Sequence, residues 1–204
     1  NNAAQLGFTG PADSPGYPSM FTKPQLCGYD AKAIAAGDRF CVILDGDGAV
    51  YTTGDRSAGR KKVDFPDSDG SPIVMISARD TYIMAASEAG SVYAWNFGES
   101  PGLLDSGREV LGIAAGSQHG VYAVRNGGAA EVYGFGDNTS YQLGTEDPSA
   151  GGKKPYLSLT IPDIEGQQIA LHAGDRHNVV DVFGEIDAGS LISEYVFGTG
   201  CFYA

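Results

Sequence analysis

The chain has 204 residues, with 25 acidic against 13 basic side chains and a net charge of −12. An acidic balance of that size repels the phosphate backbone that supplies most non-specific nucleic-acid affinity, so direct DNA or RNA binding is not expected. The hydrophobic fraction of 42% is enough to bury a core, and no run approaches the ~20 apolar residues of a membrane span.

Residues 1–32 open with Asn1-x-x-x-Gln5-Leu6-Gly7 and continue through a connection holding Pro11, Pro15, Pro18 and Pro24. The opening motif returns as Asn138-x-x-x-Gln142-Leu143-Gly144, and in both places an Ala-Gly pair ends 30 residues later, at Gly37 and Gly174. Self-similarity at this scale signals a repeat architecture rather than one irregular core.

The units then follow in order as 33–72, 73–109, 110–167 and 168–204. Each begins with one signature, Ala35-Ala36-Gly37, Ser77-Ala78-Arg79, Ala114-Ala115-Gly116 or His172-Ala173-Gly174, and ends on a second, Val50-Tyr51, Val92-Tyr93, Val132-Tyr133 or Val196-Phe197. In the first three units the stretch between contains Asp45-Gly46-Asp47-Gly48, Ser87-Glu88-Ala89-Gly90 or Arg125-Asn126-Gly127-Gly128. Such Gly, Asn and Asp clusters make hairpin turns because they tolerate positive φ. Each unit therefore reads as a β-hairpin whose arms, such as Phe40–Leu44 and Tyr82–Ala86, are short apolar strands covered on both faces. The Gly/Pro/Ser stretch from Asp147 to Pro155 reads as a surface loop. The fold class is all-β.

In these motifs the chain resembles the regulator of chromosome condensation repeat family, whose units carry an Ala-Ala-Gly-x-x-His strand, a hairpin, a Val-Tyr-x-Trp-Gly strand and an Asn-x-x-x-Gln-Leu-Gly loop. The third unit matches best, from Ile113-Ala114-Ala115-Gly116 and His119 to Val132-Tyr133-Gly134-Phe135-Gly136 and Asn138 through Gly144, with Phe135 in the Trp position. The first unit has Phe40 for His, and the second has Arg79 for Gly and Tyr82 for His. The resemblance implies a β-propeller in which each unit supplies most of a blade, with four units seen of a larger, seven-bladed ring. A compact four-bladed ring, or a ring completed by a partner chain, are the alternatives.

Candidate chemistry is sparse. His119 and His177 sit three residues after equivalent glycines, so a metal or acid-base pair is conceivable, but units lacking them use Phe40 and Tyr82, which points to a ring that packs within its blade. His172 has no partner pattern. The turns Asp45–Gly48 and Asp67–Gly70 lack the further oxygen ligands of a calcium loop. No nucleophile elbow, phosphate-binding loop or zinc-helix motif is present, so the expectation is no enzyme, no cofactor and no metal. Cys27, Cys41 and Cys201 form no disulfide framework, which suits reduced thiols inside the cell, in a compartment the sequence does not name.

The one compact basic patch is Arg56, Arg60, Lys61 and Lys62, read as a loop after the first Val-Tyr strand. It is the candidate contact for an acidic protein partner. The expected role is a non-catalytic protein-interaction scaffold, a structural or accessory subunit of a multi-subunit assembly. The alternative, implied by the family resemblance alone, is a regulator of a small GTPase that promotes nucleotide exchange.

Overall fold

The computed structural model describes residues 30–54, 57–66, 68–147, 150, 152–184 and 191–198. The first Gln-Leu-Gly motif, Cys27, Cys201 and Arg56 lie outside them. Every regular element among the described residues is a strand.

The strands form four antiparallel sheets in which chain neighbours are sheet neighbours. The first is β1 (Ala31–Ala36), β2 (Phe40–Asp45), β3 (Val50–Gly54) and β4 (Ser57–Lys62). The second is β5 (Ile73–Arg79), β6 (Tyr82–Ser87), β7 (Val92–Asn96) and β8 (Gly102–Asp105). The third is β9 (Val110–Ala115), β10 (His119–Asn126), β11 (Ala129–Gly136) and β12 (Gly152–Ile161). The fourth comprises β13 (Gln168–Ala173), β14 (His177–Phe183) and β15 (Leu191–Gly198). The first strand of each sheet touches the first strand of the next, so β1, β5, β9 and β13 follow one another around an inner edge. These are the blades of a β-propeller.

Side chains alternate across a strand, so a blade between two others must be apolar on both faces. In β6, Ile83 and Ala85 pack toward the first blade and Met84 toward the third; in β10, Tyr122 and Val124 pack toward the second blade and Ala123 toward the fourth. The cores are therefore three clusters between sheets. Phe40, Val42, Leu44 and Val50 meet Tyr93 and Trp95 in the first, where Phe40 stacks on Phe97 at 4.3 Å between ring centroids.

In β2 burial alternates, with Phe40, Val42 and Leu44 buried and Cys41 and Ile43 half-buried, because only one of its faces meets a neighbouring blade. The fourth blade departs from the other three in a further way. At the fourth position after the ring residue and its cross-strand partner, the first three blades present Leu44 with Val50, Ala86 with Val92 and Ala123 with Val132. All six are buried. The fourth blade presents Asp181 with Glu194.

The two signatures have a steric origin. A Cβ on Gly116 would lie 2.3 Å from Cε1 of the His119 ring, one on Gly174 2.4 Å from that of His177, and one on Gly37 2.2 Å from Cε1 of Phe40. The glycine exists because the ring three residues on occupies the space of its side chain. The glycine closing the third strand is fixed by backbone instead: a Cβ on Gly54 would lie 2.2 Å from the Arg39 carbonyl oxygen and one on Gly198 2.1 Å from that of Arg176.

Two stretches read as loops are strands. Gly152–Pro155 belongs to β12, where Pro155 is tolerated because the strand is outermost in its sheet and has an unpaired side. Arg60, Lys61 and Lys62 belong to β4, where Lys61 pairs with Thr52 and Lys62 with Tyr51.

Candidate interaction surface

β4 is the outer edge of the first blade, and charged side chains on an edge strand discourage unwanted strand pairing. Arg60, Lys61 and Lys62 are all exposed. The patch read from the sequence divides across the strand. Arg60 lies over the Tyr51 ring at 4.2 Å from the centroid, a cation–π contact. Lys61 and Lys62 instead border a cleft toward the second blade, lined also by Trp95, Phe97, Glu99 and Pro101. A basic rim thus stands beside half-buried aromatic surface and one carboxylate.

The histidine pair does no metal chemistry in this arrangement. Nε2 of the fully buried His119 bonds Oδ1 of Asn178 in the next blade at 2.9 Å, and Asn178 Nδ2 donates to the carbonyl oxygen of Gln142. The ring packs against its own blade's Gly116, as expected, but it also ties the third blade to the fourth. The equivalent His177 is exposed. His172, which had no partner pattern in sequence, lies with Nε2 3.4 Å from Oδ2 of Asp181, across the paired strands β13 and β14.

The Asn-x-x-x-Gln-Leu-Gly loop is a self-bonded unit that supports this tie. Oδ1 of Asn138 accepts from Leu143 N at 2.9 Å while its Nδ2 donates to the Thr145 and Asp147 carbonyls. Gln142 accepts from Ser140 N at 2.8 Å and donates to Asp137 at 2.9 Å. Burial pulls the Asp137 carboxyl up, yet the bonds from Thr139 and Gln142 outweigh it and hold it below its ordinary value.

A second link crosses three blades. Arg79, standing where the other units have glycine, reaches Asp175 at 2.7 Å and Ser117 at 3.4 Å, and Ser117 donates to the same carboxylate oxygen. The bonds from Ser117 and Arg79 lower the Asp175 pKa. Sequence reading treated Arg79 as a lapse from the repeat and missed this role. A long cation in a glycine slot was the available signal.

Between the second and third blades, Arg108 bonds Asp105, Glu131 and Tyr133, and its guanidinium lies 4.8 Å from the Tyr133 ring centroid. The displaced titratable groups thus mostly serve to join blades. The acidic turn Asp45–Gly48 is a hairpin turn, with Asp45 Oδ1 accepting from Asp47 N and Ala49 N.

His119 gives a pH prediction. Burial, only partly offset by the Asn178 bond, pushes its pKa below the ordinary 6.5. The unfolded chain then takes up a proton before the folded one does, so stability is complete above about pH 6.5 and is lost as pH falls toward the depressed folded value. Chemical denaturation at stepped pH should show this decline in the native chain. His119→Phe should stay folded with its decline flattened in that window, and should lose about 1–3 kcal/mol at pH 8 because Asn178 Oδ1 is left unpaired.

Residues 31–60, which contain β1, β2 and β3, match the model of the regulator of chromosome condensation (RCC1) repeat. The chain belongs to the RCC1-repeat family. Its blades superpose on solved propellers: human WBSCR16, with TM-score 0.60 and 14% identity over 79% of this chain and 46% of that one; and Prp20p of Saccharomyces cerevisiae, studied for its binding to Gsp1p and histones, with TM-score 0.60 and 23% identity over 78% and 44%. Yeast RCC1 (Prp20) bound to Kap60 gives TM-score 0.60 and 23% identity over 78% and 43%. The chain thus spans less than half the length of each of these RCC1-like structures. No curated protein matches it in sequence. Among the described residues no helix is long and apolar enough to cross a membrane.

Proposed function

We propose that this chain is a non-catalytic protein-interaction scaffold, a structural or accessory subunit of a larger intracellular assembly, and that its blades, units 33–72, 73–109, 110–167 and 168–204, belong to a larger, seven-bladed ring. The reading rests on one observation above others: a rigid frame of cross-bonded blades carries an exposed basic row, Arg60, Lys61 and Lys62, on a chain of net charge −12. Arg56 is included in the contact on its sequence position. Positive side chains beside an aromatic cleft suit an acidic protein surface, which the remainder of the chain repels. Rigid repeats that display variable loops are well suited to binding.

The paired reversal Lys61→Glu and Lys62→Glu tests it. The side chains are exposed, so the melting temperature should stay within a few degrees of the native value. Partner retention, measured by quantitative mass spectrometry of material purified in parallel, should fall about tenfold or more, since like-charge contacts replace attractive ones. Equal retention would remove the basic row from the interface.

The likeness to Prp20p, studied with Gsp1p, favours a second reading, regulation of a small GTPase. It rests on fold alone. Nucleotide release from a panel of purified GTPases separates the two, since a scaffold leaves release unchanged.

A further inference from the structure

The outward flank of the first blade is built like a surface that the rest of the fold buries. At the third position after the ring residue, Ala85, Tyr122 and Val180 are each buried in a cluster with the preceding blade, whereas the equivalent Ile43 is half-buried. Ile34, opposite Ile43, is 67% exposed, while its counterpart Leu171, opposite Val180, packs against the third blade. Tyr51 corresponds to Tyr195, and Thr53 to Phe197, by their register with β2 and β14. Thr53 Oγ1 is shielded from solvent and bonds nothing. This flank expects a cover.

In the fourth blade the cover of the matching outer part is visible. The Asn138–Gly144 loop offers the Gln142 carbonyl to Asn178, and a Cβ on Gly144 would lie 3.6 Å from the Phe197 ring. Leu143 of that loop is fully buried. Asn178 and Phe197 correspond to Cys41 and Thr53 in the first blade.

The chain contains a second copy of that loop at the same distance from its target. Residues 1–37 align on 138–174 without insertion, pairing Asn1 with Asn138, Gln5 with Gln142, Leu6 with Leu143, Pro18 with Pro155 and Gly37 with Gly174. The connection is of equal length, so a path that reaches in one place reaches in the other. We propose that Asn1–Gly7 docks on the flank of the first blade over Cys41 and Thr53, as Asn138–Gly144 docks over Asn178 and Phe197. The occupant is this chain's own segment rather than a second copy. Ile34, nearer the inner edge, lies beyond the reach of this loop, because its counterpart Leu171 meets Gly112 of β9 instead.

Cys41 serves as the reporter. In the full chain with Cys27→Ser and Cys201→Ser, Cys41 alone reacts with a maleimide, and docking makes that reaction slow. Leu6→Asp places a charge where the equivalent Leu143 is fully buried, and Gln5→Ala removes the amide that closes the equivalent loop. With circular dichroism unchanged, each should speed Cys41 modification about tenfold, as release of a locally covered site does. The expected rates do not vary with protein concentration. Two results would overturn the proposal: rates equal to the parent in both variants, or protection of Cys41 that strengthens with protein concentration, which would assign the cover to a second copy.

Discussion

Replacing Asn178 with Leu should lower the unfolding free energy by about 2–4 kcal/mol, because it strands two buried groups at once. Asn178 is fully buried, with Oδ1 on His119 Nε2 and Nδ2 on the Gln142 carbonyl. Leucine matches the volume and supplies neither bond. Buried polar atoms without partners lose their full solvation, which is why the loss exceeds that of one surface hydrogen bond. The damage should also be local. Hydrogen exchange of β13, β14 and β15 should accelerate more than that of β5, β6 and β7, since the lost link joins only the third and fourth blades. Uniform acceleration across all blades would show that Asn178 acts on the whole frame instead.

Gly54→Ala should cost a similar amount by a different route. Gly54 has φ +130°, a conformation that L side chains rarely adopt, and an added Cβ would lie 2.2 Å from the Arg39 carbonyl oxygen and 2.7 Å from the Phe40 Cα. Both obstacles are main chain, so no side chain can swing aside. Strain of ~1–3 kcal/mol adds to an overpacking cost of about the same size. Urea unfolding should show a loss of about 2–5 kcal/mol on that reasoning. Gly70→Ala is the control, having positive φ but nothing within 4 Å of a Cβ. It should lose only about 1 kcal/mol, the cost of conformation alone. A Gly54→Ala loss no larger than the control would mean the backbone relaxes around the new methyl.

The sequence was legible where a single residue type meets a fixed steric demand. Ala-Ala-Gly-x-x-His and Val-Tyr-x-x-Gly repeat because a ring fills one glycine's side-chain space and a carbonyl fills the other's. Hairpin turns were legible for the same reason, with Gly48, Gly90 and Gly127 all at positive φ. The outer strands were harder to see. β4 reads as Ser-Ala-Gly-Arg-Lys-Lys and β12 contains Pro155, because an edge strand answers to one neighbour and to solvent and so keeps no apolar alternation. The bonds between blades were invisible, since Asn178 and Arg79 act across 36 to 96 positions of sequence and each occupies a slot that other units fill differently. Of the basic patch, the exposed cations were correctly found, but their division between the Tyr51 ring and the second-blade cleft follows from strand pairing rather than from spacing.

The replacement of an apolar pair by Asp181 and Glu194 in the fourth blade bears on how copies of this molecule meet. A head-to-tail stack, in which the flank carrying Ile43 and Tyr51 abuts the far flank of the next molecule, is a contact that never closes and so propagates into fibres. Here that contact would press two carboxylates against hydrocarbon, stripping their water without offering a counter-charge. The energetic barrier falls on the polymerising geometry and leaves each flank's proper neighbour unaffected. Two carboxylates in one blade thereby act as a brake on self-assembly.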